Sequence, residues 1–233
     1  MPELSIVMPA FNEAATVGGV IRGHRDVASR VARDFEIIVC DDGSTDGTGA
    51  ALAAAKGDVP ELAVVTNERN LGIPATMRRL YGLARGEWIY FNAADGQVPA
   101  SGLERMWAAR EGAALVVGRR VPRRDPLGRV LIAEVYSTAL RAAFRLPVHD
   151  IDSVKLYRAA DLHSVPIRSR SNFFEAEILI GICRRDRIVR EVVIEHRPRI
   201  AGRAKGVTPR AALLAIYELG SFMLNDFTHV WRR

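Results

Sequence analysis

The sequence predicts a single α/β domain with a mainly parallel central sheet flanked by helices. Short apolar segments rich in β-branched residues alternate with segments of helical length, as in successive βαβ units. The strand segments are nearly continuously apolar, which is typical of parallel strands covered on both faces. The 233 residues contain no internal repeat or linker composition and are enough for one large hydrophobic core.

The first half of the chain contains five predicted strands joined by four predicted helices. Each strand is a short apolar run that ends at turn-forming or acidic residues. The strands are predicted at residues 4–8, 35–40, 62–66, 88–92 and 113–117. The intervening helices are predicted at residues 15–31, 49–56, 74–84 and 101–110.

The regular alternation ends after Gly118. The segment Arg119–Arg129 contains two prolines and mixed charges, which predicts a long loop. The elements predicted beyond it are a helix at 130–144, a strand at 154–157, a helix at 174–183 and a strand at 188–194. We therefore assign residues 1–206 to one domain. Residues 207–233 are predicted to contain an amphipathic helix that packs on the domain, on a partner subunit or on a membrane surface.

Charge and composition exclude several classes of protein. The net charge of +6 comes largely from arginine clusters, which favour an anionic partner. No nucleic-acid-binding signature accompanies them, so no nucleic-acid partner is expected. No run of 18 uncharged apolar residues predicts a membrane span. The two cysteines, Cys40 and Cys183, lie in apolar runs without metal-ligand spacing and are interpreted as buried thiols in a reducing cytosol.

Polar residues follow the predicted strands at the edge where an open parallel sheet binds ligands. Glu13 follows the first strand, Asp41 and Asp42 the second, Asp95 the fourth and Arg120 the fifth. No glycine-rich dinucleotide or Walker motif is present, so carboxylates rather than glycines line this edge. Each acid alone is more often a turn former or a helix cap than a ligand, but their recurrence at successive strand ends predicts a ligand site.

A diphosphate ligand would be repelled by bare carboxylates, so the edge predicts a divalent cation between Asp95 and the phosphates. Mg²⁺ or Mn²⁺ is expected, because hard cations prefer oxygen ligands. Mg²⁺ often keeps waters and substrate oxygens as most of its ligands. Asp95 and Gln97 would then supply the protein ligands.

Five segments of the chain resemble the family 2 glycosyltransferases of GT-A fold. They are SIVMPAFNEAATV, EIIVCDDGSTDGT, NLGIPATMRRLYGLARGEWIYFNAADGQVP and, more loosely, HDIDSVKLYR and HRPRIAGRAKGV. Within that family the chain is most similar to polyprenyl-phosphate sugar synthases of the dolichol-phosphate mannose type. The resemblance implies inverting transfer of a hexose from a nucleotide-diphosphate sugar to a polyprenyl phosphate. It also implies a GT-A domain that uses Mg²⁺ or Mn²⁺.

The resemblance assigns roles to individual positions. The nucleotide-sugar set is Pro9, Phe11, Glu13, Asp41, Asp42, Ala94, Asp95, Arg120, Arg199 and Lys205. The acceptor set is Arg120, Arg129 and Arg203, the metal set is Asp95 and Gln97, and the catalytic set is Asp95, Arg129, Asp150 and Asp152. The sequence departs from the family at Ala93, which replaces the first acid of the Asp-x-Asp metal motif and leaves two protein ligands.

Two other functions remain open from the sequence, and a third lacks the motif that it requires. The same fold could glycosylate a soluble small molecule or a glycan end, in which case Asp150 or Asp152 would act as the general base. A sugar nucleotidyltransferase would need a glycine-rich basic loop after the first strand, which MPAFNEAA lacks. A degenerate nucleotide-sugar-binding protein would account for Ala93. We expect a cytoplasmic protein with peripheral contact to the inner face of the membrane, and a homo-oligomer is compatible with the sequence.

Overall fold

The computed structural model describes residues 1–199, 214–215 and 217–223. The strands are β1 (Leu4–Ala10), β2 (Phe35–Asp41), β3 (Leu62–Thr66), β4 (Trp88–Phe91), β5 (Leu115–Arg120), β6 (Lys155–Arg158) and β7 (Val189–Ile194). The helices are α1 (Val17–Val31), α2 (Thr48–Asp58), α3 (Ile73–Leu83), α4 (Ser101–Ala108), α5 (Leu127–Phe144), α6 (Ala159–His163) and α7 (Phe174–Cys183).

The seven described strands form one sheet in the order β3-β2-β1-β4-β6-β5-β7. All neighbouring pairs are parallel except those of β6, which runs antiparallel to both β4 and β5. Because β6 is reversed, its first residue, Lys155, pairs with Phe91 and Val117 near the carboxyl ends of β4 and β5. The segment that precedes β6 therefore reaches the same edge as the loops that follow the parallel strands.

Helices cover both faces of the sheet, so the parallel strands are buried on both sides. On one face, Ile6 and Met8 of β1 belong to a core with side chains of α1, α2 and α4. On the other face, Val7 belongs to a second core with side chains of α3, α5, α6 and α7. The alternation of neighbouring β1 side chains between the two cores explains why the strand is continuously apolar.

The fold class predicted from the sequence is confirmed, with corrections to individual elements. The predicted loop at 119–129 is wrong at both ends. Arg119 and Arg120 pair with Val193 and Ile194 of β7 and extend β5. Helix α5 begins three residues earlier than predicted, directly after Pro126, whose fixed φ suits a helix start. The short helix α6 was not predicted.

The described residues of the C-terminal stretch are helical and contact the domain. Phe222 packs edge-on against Phe144 and Phe173. The Glu218 carboxylate accepts hydrogen bonds from the backbone N–H groups of Arg170 and Ser171 at 2.8 and 3.0 Å. Within the described ranges, no helix has the length and apolar character to cross a bilayer. The boundary predicted between residues 206 and 207 falls in a stretch that the structure does not describe and stays a prediction.

Candidate active site

The loops that follow β1 and β2 are fixed to each other at the carboxyl edge of the sheet. The Asn12 N–H donates to Ser44 Oγ at 2.9 Å, and the Thr45 N–H donates to Asn12 Oδ1 at 2.8 Å. The Glu13 N–H donates to Thr48 Oγ1 at 2.8 Å. Gly43 has a φ of +70°, and a Cβ at this position would lie 2.5 Å from the backbone of Arg69. Only glycine therefore lets the two loops turn so closely past the segment after β3.

The two acids after β2 that are predicted to bind the nucleotide, Asp41 and Asp42, differ in their hydrogen bonds within the protein. Both oxygens of Asp42 accept hydrogen bonds within the fold, from the Asn67 amide at 2.7 Å and from the Leu71 and Gly72 N–H groups at 2.9 Å. Asp41 Oδ1 accepts a hydrogen bond from the Ser44 N–H at 2.9 Å. Asp42 thus holds the loop before α3 in place, and a direct role in nucleotide binding stays a prediction for both acids.

Arg199 joins the loops after β1 and β4 through two ion pairs. Its Nη1 lies 2.9 Å from Glu13 Oε1, and its Nη2 lies 2.7 Å from Asp95 Oδ2. The exposed fractions of the three side chains are 21% for Arg199, 9% for Glu13 and 13% for Asp95. We call Glu13, Asp95 and Arg199 the Arg199 cluster. The neighbouring Ala94 carbonyl accepts from Thr16 Oγ1 at 2.8 Å, which ties the Asp95 turn to the start of α1.

The donor set around Asp95 fits a hard divalent cation with few protein ligands. Asp95 Oδ1 accepts the Gln97 N–H at 3.0 Å, so the two side chains leave the same tight turn. The Gln97 side-chain amide donates to the Arg197 carbonyl at 3.4 Å through its nitrogen. Among the described residues, no group of three or more His, Cys, Asp or Glu is arranged to hold an ion. Carboxylate and amide oxygens with two protein ligands match the coordination that Mg²⁺ accepts.

A second charged group lies at the ends of β5 and β6. Arg120 binds Asp150 through two parallel bonds, Nε to Oδ2 at 2.8 Å and Nη2 to Oδ1 at 2.7 Å. Arg123 Nη1 lies 3.7 Å from the same Asp150 carboxylate. Burial opposes ionisation of Asp150, but the Arg120 hydrogen bonds and the charges of both arginines outweigh it and lower its pKa. We call Arg120, Arg123 and Asp150 the Arg120 cluster.

Asp152 differs from Asp150 in both accessibility and acidity. Asp152 is exposed to solvent, and its backbone carbonyl accepts a hydrogen bond from Arg120 Nη2 at 3.0 Å. Partial desolvation of the Asp152 carboxyl raises its pKa, and the positive charges of Lys155 and Arg120 oppose this shift. Asp150 is held ionised in a bidentate pair, so Asp152 is the better placed of the two to accept a proton.

Arg129 lies in the first turn of α5, and its Nη1 is 3.6 Å from Asp125. Its side chain is 38% exposed, so it can still reach a ligand in solvent. The predicted basic residues Arg203 and Lys205 lie outside the described residues.

Sequence reasoning missed His196, which follows β7. The Arg124 N–H donates to His196 Nδ1 at 2.9 Å. Burial, followed by the charge of Arg120, lowers the pKa of His196, while Asp125 and Asp95 act in the opposite direction. His196 therefore feels charges from both clusters. The available signal was its position directly after a strand that ends at this edge.

A buried ion pair lies beneath this edge of the sheet, and sequence reasoning did not predict it. Lys155 is fully buried, and its Nζ lies 2.6 Å from Glu175 Oε2 and 3.0 Å from the Ser153 carbonyl. The Tyr157 hydroxyl donates to Glu175 Oε2 at 3.1 Å, and the Tyr81 hydroxyl lies 3.4 Å from Glu175 Oε1. This network links the start of β6 to α7 directly behind the segment that carries Asp150 and Asp152.

The fold is shared with glycosyltransferases of the GT-A type. A crystal structure of glucosyl-3-phosphoglycerate synthase from Mycobacterium tuberculosis, in complex with Mn²⁺, uridine diphosphate and glucosyl-3-phosphoglycerate, superposes with a TM-score of 0.67. It is 23% identical, and the match covers 87% of this chain and 73% of that one. The model of glycosyl transferase family 2 matches residues 5–165, and the chain belongs to this family.

Curated relatives in the family include two transferases that are named for lipid phosphates. The chain is 27% identical over 206 residues to undecaprenyl-phosphate 4-deoxy-4-formamido-L-arabinose transferase of Pseudomonas aeruginosa. It is 30% identical over 211 residues to dodecaprenyl-phosphate galacturonate synthase of Rhizobium johnstonii. Each match covers 87% of this chain. The chain spans about 60% of the length of these relatives.

Proposed function

We propose that this glycosyltransferase transfers a hexose, with inversion, from a nucleotide-diphosphate sugar to a polyprenyl phosphate at the inner face of the membrane. The observation that carries the proposal is that two charged clusters lie at the same edge of the sheet. The Arg199 cluster contains two carboxylates and the positively charged Arg199 guanidinium, which suit a nucleotide-diphosphate sugar. The Arg120 cluster and Arg129 offer guanidinium groups, which suit the phosphate of an acceptor. The names of the curated relatives support the same acceptor class.

The chemistry of the donor follows from charge. Glycosyl transfer builds negative charge on the departing diphosphate, and preorganised positive groups there supply the largest catalytic term. A Mg²⁺ or Mn²⁺ ion held by Asp95 and Gln97 would neutralise that charge as a Lewis acid. Arg199 is already positioned at Asp95 and would add a second positive charge beside the leaving group.

The chemistry of the acceptor decides whether a base is needed. A phosphate monoester has its second pKa near 6 and is anionic at neutral pH, so it attacks the anomeric carbon without a general base. Arg120 and Arg129 would then orient the phosphate oxygen rather than deprotonate it. A hydroxyl acceptor would need Asp152 to take its proton. The same arginines would bind the phosphate of a small soluble acceptor, which is the second candidate function.

The proposal is tested by supplying radiolabelled UDP-, GDP- and TDP-sugars with Mn²⁺ and either undecaprenyl phosphate or soluble phosphorylated and hydroxyl acceptors. We expect label to enter the organic phase with undecaprenyl phosphate. Label found only in water-soluble product would assign the soluble acceptor instead. Donor binding by calorimetry with no turnover on any acceptor would indicate a binding protein. The Asp152→Asn variant separates the acceptor types, since it should lose less than about tenfold in rate with a phosphate but 10²–10⁴-fold with a hydroxyl.

Substitution Arg129→Ala is expected to weaken the phosphate acceptor selectively. A charge-assisted hydrogen bond contributes about 1.5–3 kcal/mol, so the KM for the acceptor should rise at least about tenfold while the KM for the donor changes little. Steady-state kinetics with each substrate varied in turn measures the difference. Arg22→Ala is the matched control, because Arg22 forms an exposed pair with Asp58 on the α1 and α2 helices. Equal weakening of both substrates by Arg129→Ala would contradict the assignment.

Substitution Arg199→Ala is expected to raise the affinity of the ligand-free protein for Mn²⁺ about tenfold, which corresponds to about 1.4 kcal/mol. The reason is that Arg199 offsets part of the negative charge of Asp95 and Glu13, and its removal leaves two carboxylates that attract a cation more strongly. Titration followed by electron paramagnetic resonance measures free Mn²⁺ directly and needs no turnover. Arg197→Ala is the control, since Arg197 pairs with the exposed Glu195 two residues away. An unchanged Mn²⁺ affinity in Arg199→Ala would mean that Asp95 is not the cation ligand.

A further inference from the structure

Helix α5 exposes large apolar side chains that a helix of a globular domain usually buries. Leu127 is 88% exposed, Leu131 66%, Ile132 65% and Val135 63%. In contrast, the side chains that α5 buries most fully are those of Ser137 and Leu140. Over much of α5, large apolar side chains therefore face solvent, which is the reverse of the usual arrangement in a globular domain.

The exposed residues form one continuous face. At 100° per residue they cover about half of the helix circumference. They are Leu127, Gly128, Leu131, Ile132, Glu134, Val135, Thr138, Ala139, Ala142 and Ala143. Glu134 is the only charged residue among them and lies at one margin of the face. The 18 residues of α5 give this apolar face a length of about 27 Å.

The surroundings of the face are positively charged. Residues 119–145 contain seven arginines and two acids. None of the arginines belongs to the apolar face, and the exposed Arg124 and Arg145 lie just before and just after the helix. A second copy of this chain would bring the same excess of positive charge against it. An anionic lipid surface offers both the opposite charge and an apolar layer.

We propose that the exposed face of α5 docks on the surface of an anionic phospholipid bilayer, with its apolar side chains at the level of the acyl boundary. The face begins in the helical turn that carries Arg129, so docking would bring the candidate acceptor site to the surface where a lipid phosphate lies. The inference rests on the proposed function for its purpose. Its test uses vesicles without donor or acceptor, so that failure of docking and failure of the proposed activity are distinguishable.

The test is co-sedimentation of the full chain with vesicles of phosphatidylglycerol and phosphatidylcholine in equal parts, and with vesicles of phosphatidylcholine alone. We expect binding to the anionic vesicles that is at least tenfold stronger than binding to the neutral ones. The double substitution Leu131→Glu with Val135→Glu should weaken the binding to anionic vesicles at least tenfold. The control is Leu83→Glu with Ile188→Glu, which changes two exposed apolar residues outside α5 and should leave binding unchanged.

A second measurement does not depend on the stability of the charged variant. Leu131→Trp should be quenched by brominated phospholipid when anionic vesicles are added, because the indole enters the acyl boundary. Equal binding of the double variant and the wild type, equal binding to both vesicle types, or absence of quenching would overturn the proposal. A variant that turns a dimer into a monomer in light scattering, with vesicle binding retained, would assign the face to a second copy. Loss of vesicle binding with transfer to a short water-soluble isoprenyl phosphate retained would support docking separately from catalysis.

Discussion

Substitution Asp95→Ala is expected to lower the rate of glycosyl transfer at least about 10³-fold while the protein stays folded. Removal of one preorganised electrostatic group from a transfer site costs about 3–4 kcal/mol of transition-state stabilisation. Asp95 contributes the carboxylate that pairs with Arg199 and the oxygen that would face a cation. The change removes no apolar core contact. Initial rates with saturating donor and acceptor, together with thermal unfolding, measure both parts of the expectation.

The control for Asp95→Ala is Asp58→Ala, since Asp58 forms a solvent-exposed pair with Arg22. This control should keep full activity, because exposed ion pairs contribute little. Asp95→Asn keeps the shape but loses the charge, so it should also be severely impaired. Turnover close to wild type in folded Asp95→Ala would remove the basis for a cation at this turn.

Substitution Lys155→Met is expected to destabilise the fold by about 3–5 kcal/mol, because it leaves the Glu175 carboxylate buried without its cation. For a chain of this size such a loss lowers Tm by about 6–20 °C. Chemical denaturation with a matched m-value measures the free energy of unfolding. The remaining hydroxyl partners of Glu175, Tyr157 and Tyr81, do not replace the lost charge.

Two further variants separate the ion pair from simple packing. Lys56→Met changes an exposed lysine on α2 and should shift the free energy of unfolding by less than about 0.5 kcal/mol. The double variant Lys155→Met with Glu175→Leu removes both charges and should be more stable than Lys155→Met alone, as apolar replacement of a whole buried pair often is. A double variant that is less stable than the single one would show that Glu175 acts through its hydrogen bonds rather than through the charge of Lys155.

The strand order along the chain and the edge that carries the site follow from the sequence, because both depend on local patterns. Apolar runs predicted the seven strands, with β3 and α7 at the observed bounds. Acidic residues at successive strand ends predicted that Glu13 and Asp95 would meet, and Arg199 bridges them. The roles of these residues in binding and catalysis stay predictions.

Other features depend on contacts between distant segments and left no local signal. The lysine of KLYR suggests a solvent-exposed residue, yet the pairing of β6 between β4 and β5 buries Lys155 beside Glu175. The prolines and charges of residues 119–129 suggested a long loop. Strand β7 instead pairs with Arg119 and Arg120, which shortens that loop to the segment between β5 and α5.

The bridge made by Arg199 also has a consequence for biosynthesis. Glu13 and Asp95 are synthesised before the guanidinium that they share, which comes 186 residues after the first and 104 after the second. A nascent chain that includes β7 but not yet Arg199 contains all seven described strands. It lacks the positive charge that offsets Glu13 and Asp95. The two carboxylates therefore remain without their arginine until every described strand has been synthesised.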